Sequence, residues 1–275
     1  TSLSIVLEQL LDFGMNIERV LVVNGKYLGK FHVVSEHYGV IDSIARNPQA
    51  HLPPVGREVF EKEFGESFDS AHVIGGIEYL RLHPNLDPET LSLQWLDRGY
   101  TKLSGGCYCQ YLADEKLFLF NGFYPSLLQH YTRRSARIVL FVVSGSMAWE
   151  RARNDLAGST NPNDANEGSI RRTLLNRSSE LGLAEVSANL NGVHLSAGPV
   201  EALVELLRFT ENRQHRSANV PINRGETDLG DGRHLDFEFG KSLARAFDTE
   251  SIGRILANPD VNVDGSIISI FDYTE

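Results

Sequence analysis

Between residues 158 and 205 the chain collects the side chains that a phosphate site needs. His194 sits just before a helical run, Pro199 to Phe209, that carries Glu205, so a carboxylate eleven residues on can reach back to the imidazole. Upstream lie Gly158-Ser159-Thr160-Asn161-Pro162 and Gly168-Ser169-Ile170-Arg171, and His194 itself falls within Asn191-Gly192-Val193-His194-Leu195-Ser196. Small residues let a backbone approach a ligand closely. Thr160 and Arg171 can donate to phosphate oxygens, the arginine as a fork. An imidazole becomes a phosphoryl-accepting nucleophile when a partner fixes its tautomer and cations hold the phosphate in line. A lone histidine is ordinarily structural; the register of Thr160, Arg171, Asn191, Ser196 and Glu205 with His194 is what favours a site.

These three segments resemble, in order, the G-x-T-N-P, G-[ST]-I-R and N-x-x-H-x-S patterns of the nucleoside diphosphate kinase family. The resemblance implies an α/β sandwich, a ferredoxin-like βαββαβ antiparallel sheet, over about residues 71–210. It also implies transfer of a terminal phosphate from a nucleoside triphosphate through a phosphohistidine. His194 then carries the phosphate, with Glu205 and Ser196 at the family positions that orient it. Asn191 falls at a position binding sugar and phosphate, and Arg171 and Thr160 at positions gripping phosphate oxygens. Phe123, in Phe123-Tyr124-Pro125-Ser126-Leu127-Leu128, inherits the aromatic that covers the base, although an aromatic at a strand–helix junction is equally a core residue. Mg²⁺ is implied through the nucleotide phosphates, with no metal site built by the protein alone. The implied ligand is a nucleoside di- or triphosphate, and a homo-oligomer is a possible assembly.

The departures bear on activity. His83, in His83-Pro84-Asn85, stands where the family has a phosphate-binding lysine, so a permanent cation gives way to a group partly charged near neutrality. Asn154 replaces a phosphate-binding arginine; a one-residue slip brings Arg153 to that task, or else Arg151 and Arg153 are solvated surface charges. Leu195 and Ala197 replace a glycine and an aspartate after the histidine, and the stretch from Arg171 to His194 is longer than in the family. Three outcomes stay open: a nucleoside diphosphate kinase of altered specificity, a related nucleotide-processing enzyme, or a nucleotide-binding module without turnover.

The elements that must hold these residues read as three parts. Residues 1–70 form an N-terminal extension. It has a helical repeat at Ile5, Leu7, Leu10 and Leu11, a hairpin about Asn24-Gly25, a helix over Ser35–Ala45 and another over Arg57–Phe64. Residues 71–210 follow as the kinase-like domain. Its elements are strands over Val73–Leu82 and Tyr100–Leu112, a helix over Pro88–Arg98 capped by Asp87, a buried central strand over Arg137–Ser144 and a helix over Met147–Leu156. Residues 211–275 make a polar linker (Glu211–Gly232), a helix (Lys241–Leu256) and a strand (Ser266–Phe271).

Composition bounds the rest. The hydrophobic fraction of 41% and charged fraction of 23% are those of a soluble globular chain. A net charge of −10 argues against nucleic acid as a partner, since a phosphate-backbone binder is usually basic or carries a basic stripe. No apolar run is long enough to span a membrane, and no signal peptide is legible. Cys107 and Cys109 are too close for an ordinary disulfide and read as small core residues in a reducing cytoplasm. His32, His37 and His51 lack accompanying ligand spacing and read as surface or core-edge histidines.

Overall fold

The computed structural model describes residues 1–188, 190–210 and the strands at 260–263 and 266–269. The chain opens with α1 (Ser2–Asp12) and β1 (Asn16–Asn24). It continues through α2 (Gly25–Lys30), α3 (Val33–His37), α4 (Gly39–Arg46), α5 (Pro48–His51) and α6 (Pro54–Phe64). Next come β2 (Val73–Gly75), α7 (Gly76–Leu82), α8 (Pro88–Arg98), β3 (Thr101–Ser104), β4 (Cys107–Leu112), β5 (Leu117–Phe120) and α9 (Tyr124–Thr132). β6 (Arg137–Ser144), α10 (Trp149–Arg151), α11 (Ile170–Asn176), α12 (Ser178–Leu181) and α13 (Pro199–Thr210) follow, then β7 (Asp260–Val263) and β8 (Ser266–Ser269). The protein is therefore mixed α/β. It forms two compact units, Val22–Val139 and Thr1–Leu21 with Leu140–Glu275.

The Val22–Val139 unit is built on a four-stranded sheet of order β2-β5-β4-β3. β3, β4 and β5 are antiparallel neighbours, whereas β2 runs parallel to β5. This corrects the all-antiparallel sheet expected from the resemblance. Parallel neighbours need a long crossover, and here α7, α8 and the β3–β4 hairpin supply it. β6, expected in the centre of that sheet, instead pairs with β1 in a two-stranded one. None of its residues is fully buried, because a two-stranded ribbon leaves much of its surface to solvent.

Local chemistry explains where other elements depart from their sequence reading. The strand expected over Val73–Leu82 stops at Gly75, and α7 begins. A side chain at Gly75 would run into the Ala45 carbonyl, so the strand-to-helix switch needs glycine. Asn24-Gly25 does not turn a hairpin: Asn24 caps α2 by accepting the Tyr27 N–H at 2.9 Å. Gly25 is required for close approach to the carbonyls of Arg133 and Tyr131. Tyr100–Leu112 is not one strand but β3 and β4, joined through Gly106 at φ +68°. α8 follows the sequence closely, with Asp87 accepting the N–H groups of Glu89 and Thr90 and Pro88 in the first turn.

Two apolar clusters hold this unit. Phe60, Phe68, Phe118 and Phe120 pack with Cys107 and Cys109. Both cysteines are free and buried. Burial pushes the Cys107 thiol up to about 12, so it is not a reactive thiolate near neutrality. Trp95, Tyr79, Leu91 and Leu119 form the second cluster. A buried polar network lies nearby: the Tyr124 hydroxyl donates to Asp42 at 2.8 Å, and Arg46 grips the same carboxylate as a fork.

In the other unit, Ile5 and Leu10 of α1 pack on Ile170 and Leu174 of α11 and on Leu156. Residues 152–157 form a π-helical turn ending at Gly158, whose φ is +89°. The long stretch before His194 is helical in part, as α11 and α12. The linker over Glu211–Gly232 and the helix over Lys241–Leu256 lie outside the described residues, while β8 covers Ser266–Ser269 of the expected final strand. Among the described residues no helix is long and apolar enough to cross a membrane.

Candidate functional site

Gly158 leaves the π-helical turn with Ser169 packed against it, and a side chain there would strike the Ser169 hydroxyl. Ser169 is fully buried and caps α11, its hydroxyl donating to the Asn166 carbonyl at 2.7 Å. This places Arg171 in the first turn of α11, facing two strands of main chain. Its Nη1 donates to the Gly158 carbonyl at 2.7 Å, and its Nη2 and Nε donate to the Val193 carbonyl at 2.9 and 3.3 Å. The guanidinium thus ties the Gly158 loop to the residue before His194.

Residues 191–198 have no regular secondary structure and are held by side chains. Asn191 donates from Nδ2 to the Thr160 carbonyl at 3.2 Å, joining the first and third motifs. His194 Nε2 lies 2.6 Å from Glu205 Oε1 on α13. The Ser196 hydroxyl donates to Glu205 Oε2, and the Ala197 N–H donates to Glu201 Oε2. Glu205 is only 8% exposed, whereas half of the His194 side chain meets solvent. An ionised carboxylate only accepts, so Nε2 carries the proton and the neutral imidazole has its lone pair on Nδ1.

Burial works against charge on His194, but the Glu205 bond and the fields of Glu205 and Glu201 outweigh it and the repulsion of Arg171, so its pKa is raised. Burial and then the charge of Arg153 lower the pKa of Arg171, which brings Arg153 into the same electrostatic neighbourhood. A group whose folded pKa is raised contributes stability fully below its unfolded value, here 6.5, and loses it as pH rises through the folded value. The stability advantage of wild type over His194→Ala, measured by urea unfolding, is therefore expected to shrink as pH rises above 6.5. An advantage that grows with pH would contradict this pairing.

Thr160, Arg171, Asn191, His194, Ser196 and Glu205 are thus linked within one unit, with Arg153 acting on Arg171 through its charge. His83 and Phe123 belong to the other unit. His83 caps α7, its Nδ1 2.8 Å from the Tyr79 carbonyl, its Nε2 3.6 Å from Glu115 and its ring 4.1 Å from that of Tyr79. Phe123 is partly buried and packs beside Trp95 and Tyr108.

Two features have no signature in residue type. Glu201, one turn from Glu205 on α13, accepts the Ala197 amide. Beside the Gly158 loop runs an open groove of about 590 Å³, lined by Glu150, Arg151, Asn154, Asp155, Ser159 and Asp164 among others. His194 is not part of its lining.

Ser196 is not placed as the nucleophile of a serine triad. Such a triad needs the hydroxyl bonded to the imidazole, and Ser196 instead gives its proton to Glu205. Arg171 serves first as a main-chain tie, so Arg171→Ala is expected to cost about 2 kcal/mol in urea unfolding, from two carbonyls losing charged donors. Arg171→Lys should recover less than half of that, since one ammonium cannot reproduce the fork. Full recovery with lysine would contradict the bridging role. No protein-family model, curated protein or solved structure matches this chain.

Proposed function

We propose that the protein is a divergent nucleoside diphosphate kinase-like phosphotransferase that carries a phosphoryl group on His194. The observation that carries this reading is the 2.6 Å bond between His194 Nε2 and the buried Glu205. In this reading the Nδ1 lone pair is the nucleophile, and the Glu205 carboxylate supports the imidazolium charge as it develops. Nδ1 attacks the terminal phosphorus of a nucleoside triphosphate. An N–P bond forms as the P–O bond to the departing diphosphate breaks, and the diphosphate keeps the electron pair. The Glu205 carboxylate stabilises the resulting imidazolium charge while Nε2 keeps its proton.

Thr160, Asn191 and Arg153 supply donors around the phosphates in this reading, and Arg171 contributes positive field from behind the Val193 carbonyl. The hard oxygen donors of Asp155 and Asp164 beside the loop suit a hydrated Mg²⁺ carried on the phosphates. When bound, Mg²⁺ would neutralise phosphate charge.

A second reading, a nucleotide-binding module without turnover, is favoured by one observation: Arg171 spends its fork on backbone carbonyls rather than keeping it for phosphate. Both readings require nucleotide binding. Titration calorimetry with ADP, and with ATP in the presence of Mg²⁺, is expected to show saturable heat. No binding anywhere between about pH 6 and 8, across the histidine range, would contradict both.

A further inference from the structure

The segment that carries His194 is fastened to α13 through carboxylates. Three donors, the His194 Nε2–H, the Ser196 hydroxyl and the Ala197 N–H, end on Glu205 and Glu201, which lie one helical turn apart. Gly198 stands at the helix cap, its carbonyl accepting the Ala202 N–H at 2.9 Å, and Pro199 opens the first turn. Ala197 therefore precedes the cap, and Glu201 is the third residue of the helix. In a capping box that third-position glutamate reaches back to the amide of the cap. Here it reaches one residue further, into the segment that bears the histidine.

We propose that Glu201 is a positioning residue for His194, its bond to the Ala197 amide closing a clamp that holds residues 194–197 against α13. Without it the segment would keep the bonds from His194 and Ser196 to Glu205 but lose its main-chain tie at Ala197, in a stretch with no regular secondary structure. On the far side the Val193 carbonyl is fixed by Arg171, so His194 is anchored before and after in the chain. Glu201 is faced by Glu205 on its own helix, by His194, and by Arg153 of the π-helical turn. Burial and Glu205 raise its pKa, against the pull of the Ala197 amide, His194 and Arg153. Because the bond needs only an acceptor oxygen, an ionised or a neutral group can make it.

The proposal is tested on the full chain with Glu201→Ala and Glu201→Gln. Two quantities are read: water exchange of the His194 Nε2–H by ¹H–¹⁵N NMR, and the kcat and KM of phosphoryl transfer from ATP with Mg²⁺. Glu201→Ala is expected to speed that exchange and lower kcat, each by about tenfold, with KM within about twofold, since misplacement acts on the reacting geometry. Glu201→Gln should restore both to within about twofold of wild type, because the amide oxygen can still accept. The proposal is overturned if Glu201→Ala matches wild type in both, or if Glu201→Gln is as impaired as Glu201→Ala. The kinetic arm rests on the phosphotransferase reading. Absence of transfer in wild type would sink that reading, while the NMR arm would still decide the role of Glu201.

Discussion

His194→Ala is expected to lower phosphoryl transfer by at least about a thousandfold while leaving nucleotide affinity within a few fold of wild type. A nucleophile acts on the transition state far more than on the ground state, so its loss falls on kcat rather than on binding. Glu205→Gln should be milder, about ten- to a hundredfold, because it keeps the shape but weakens the partner of the imidazolium. The comparison checks the assignment of roles. If Glu205→Gln were as damaging as His194→Ala, Glu205 would itself be doing chemistry. If His194→Ala transferred phosphate at the wild-type rate, the site would be elsewhere.

The largest stability effect is expected at Asn121, in the other unit. Its side chain is fully buried and makes three hydrogen bonds to main chain. Oδ1 accepts the Tyr108 N–H at 3.0 Å, and Nδ2 donates to the carbonyls of Ile41 at 3.1 Å and Gly106 at 2.9 Å. It also holds φ at +47°, a left-handed conformation that asparagine tolerates better than alanine. Asn121→Ala strands one buried donor and two acceptors and adds strain, at a cost of about 3–4 kcal/mol in urea unfolding. Asn121→Asp should be nearly as costly, since it would set a carboxylate against two carbonyl oxygens. A loss below about 1 kcal/mol for Asn121→Ala, the worth of a single hydrogen bond, would contradict this hub.

Much of the local architecture is legible in the sequence where the signal is itself local. Asp87 and Pro88 mark the start of α8, and the apolar periodicity of Val200–Phe209 marks α13, because caps and helical faces are set by near neighbours. The His194–Glu205 pair is legible for the same reason: the glutamate lies on the helix that the histidine segment enters. Strand partners are another matter. Arg137–Ser144 reads as a buried central strand by its apolar run, yet among the described residues it pairs with β1 alone, a partner far away in sequence. Val73–Leu82 is apolar enough for strand or helix, and what ends the strand is the Ala45 carbonyl against Gly75, which no pattern within the segment announces.

The candidate site shows the same division. Thr160, Arg171, Asn191 and His194 stand out by residue type, and the structure links them. What the sequence could not show is where the donors go. Arg171 ends on the carbonyls of Gly158 and Val193, and Asn191 on that of Thr160, and main-chain acceptors carry no residue-type signature. His83 likewise owes its surroundings to Tyr79 and to Glu115, which is distant in sequence.

The most direct measurement of the central claim is the search for phosphate on His194 itself. The protein is incubated with ATP and Mg²⁺, and intact mass and peptide maps are recorded at alkaline pH, where a phosphohistidine survives. The account predicts one added phosphate, on His194, lost on brief acid treatment, discharged by added nucleoside diphosphate and absent from His194→Ala. A protein that stays unphosphorylated, or a phosphate that resists acid or persists in His194→Ala, would contradict it.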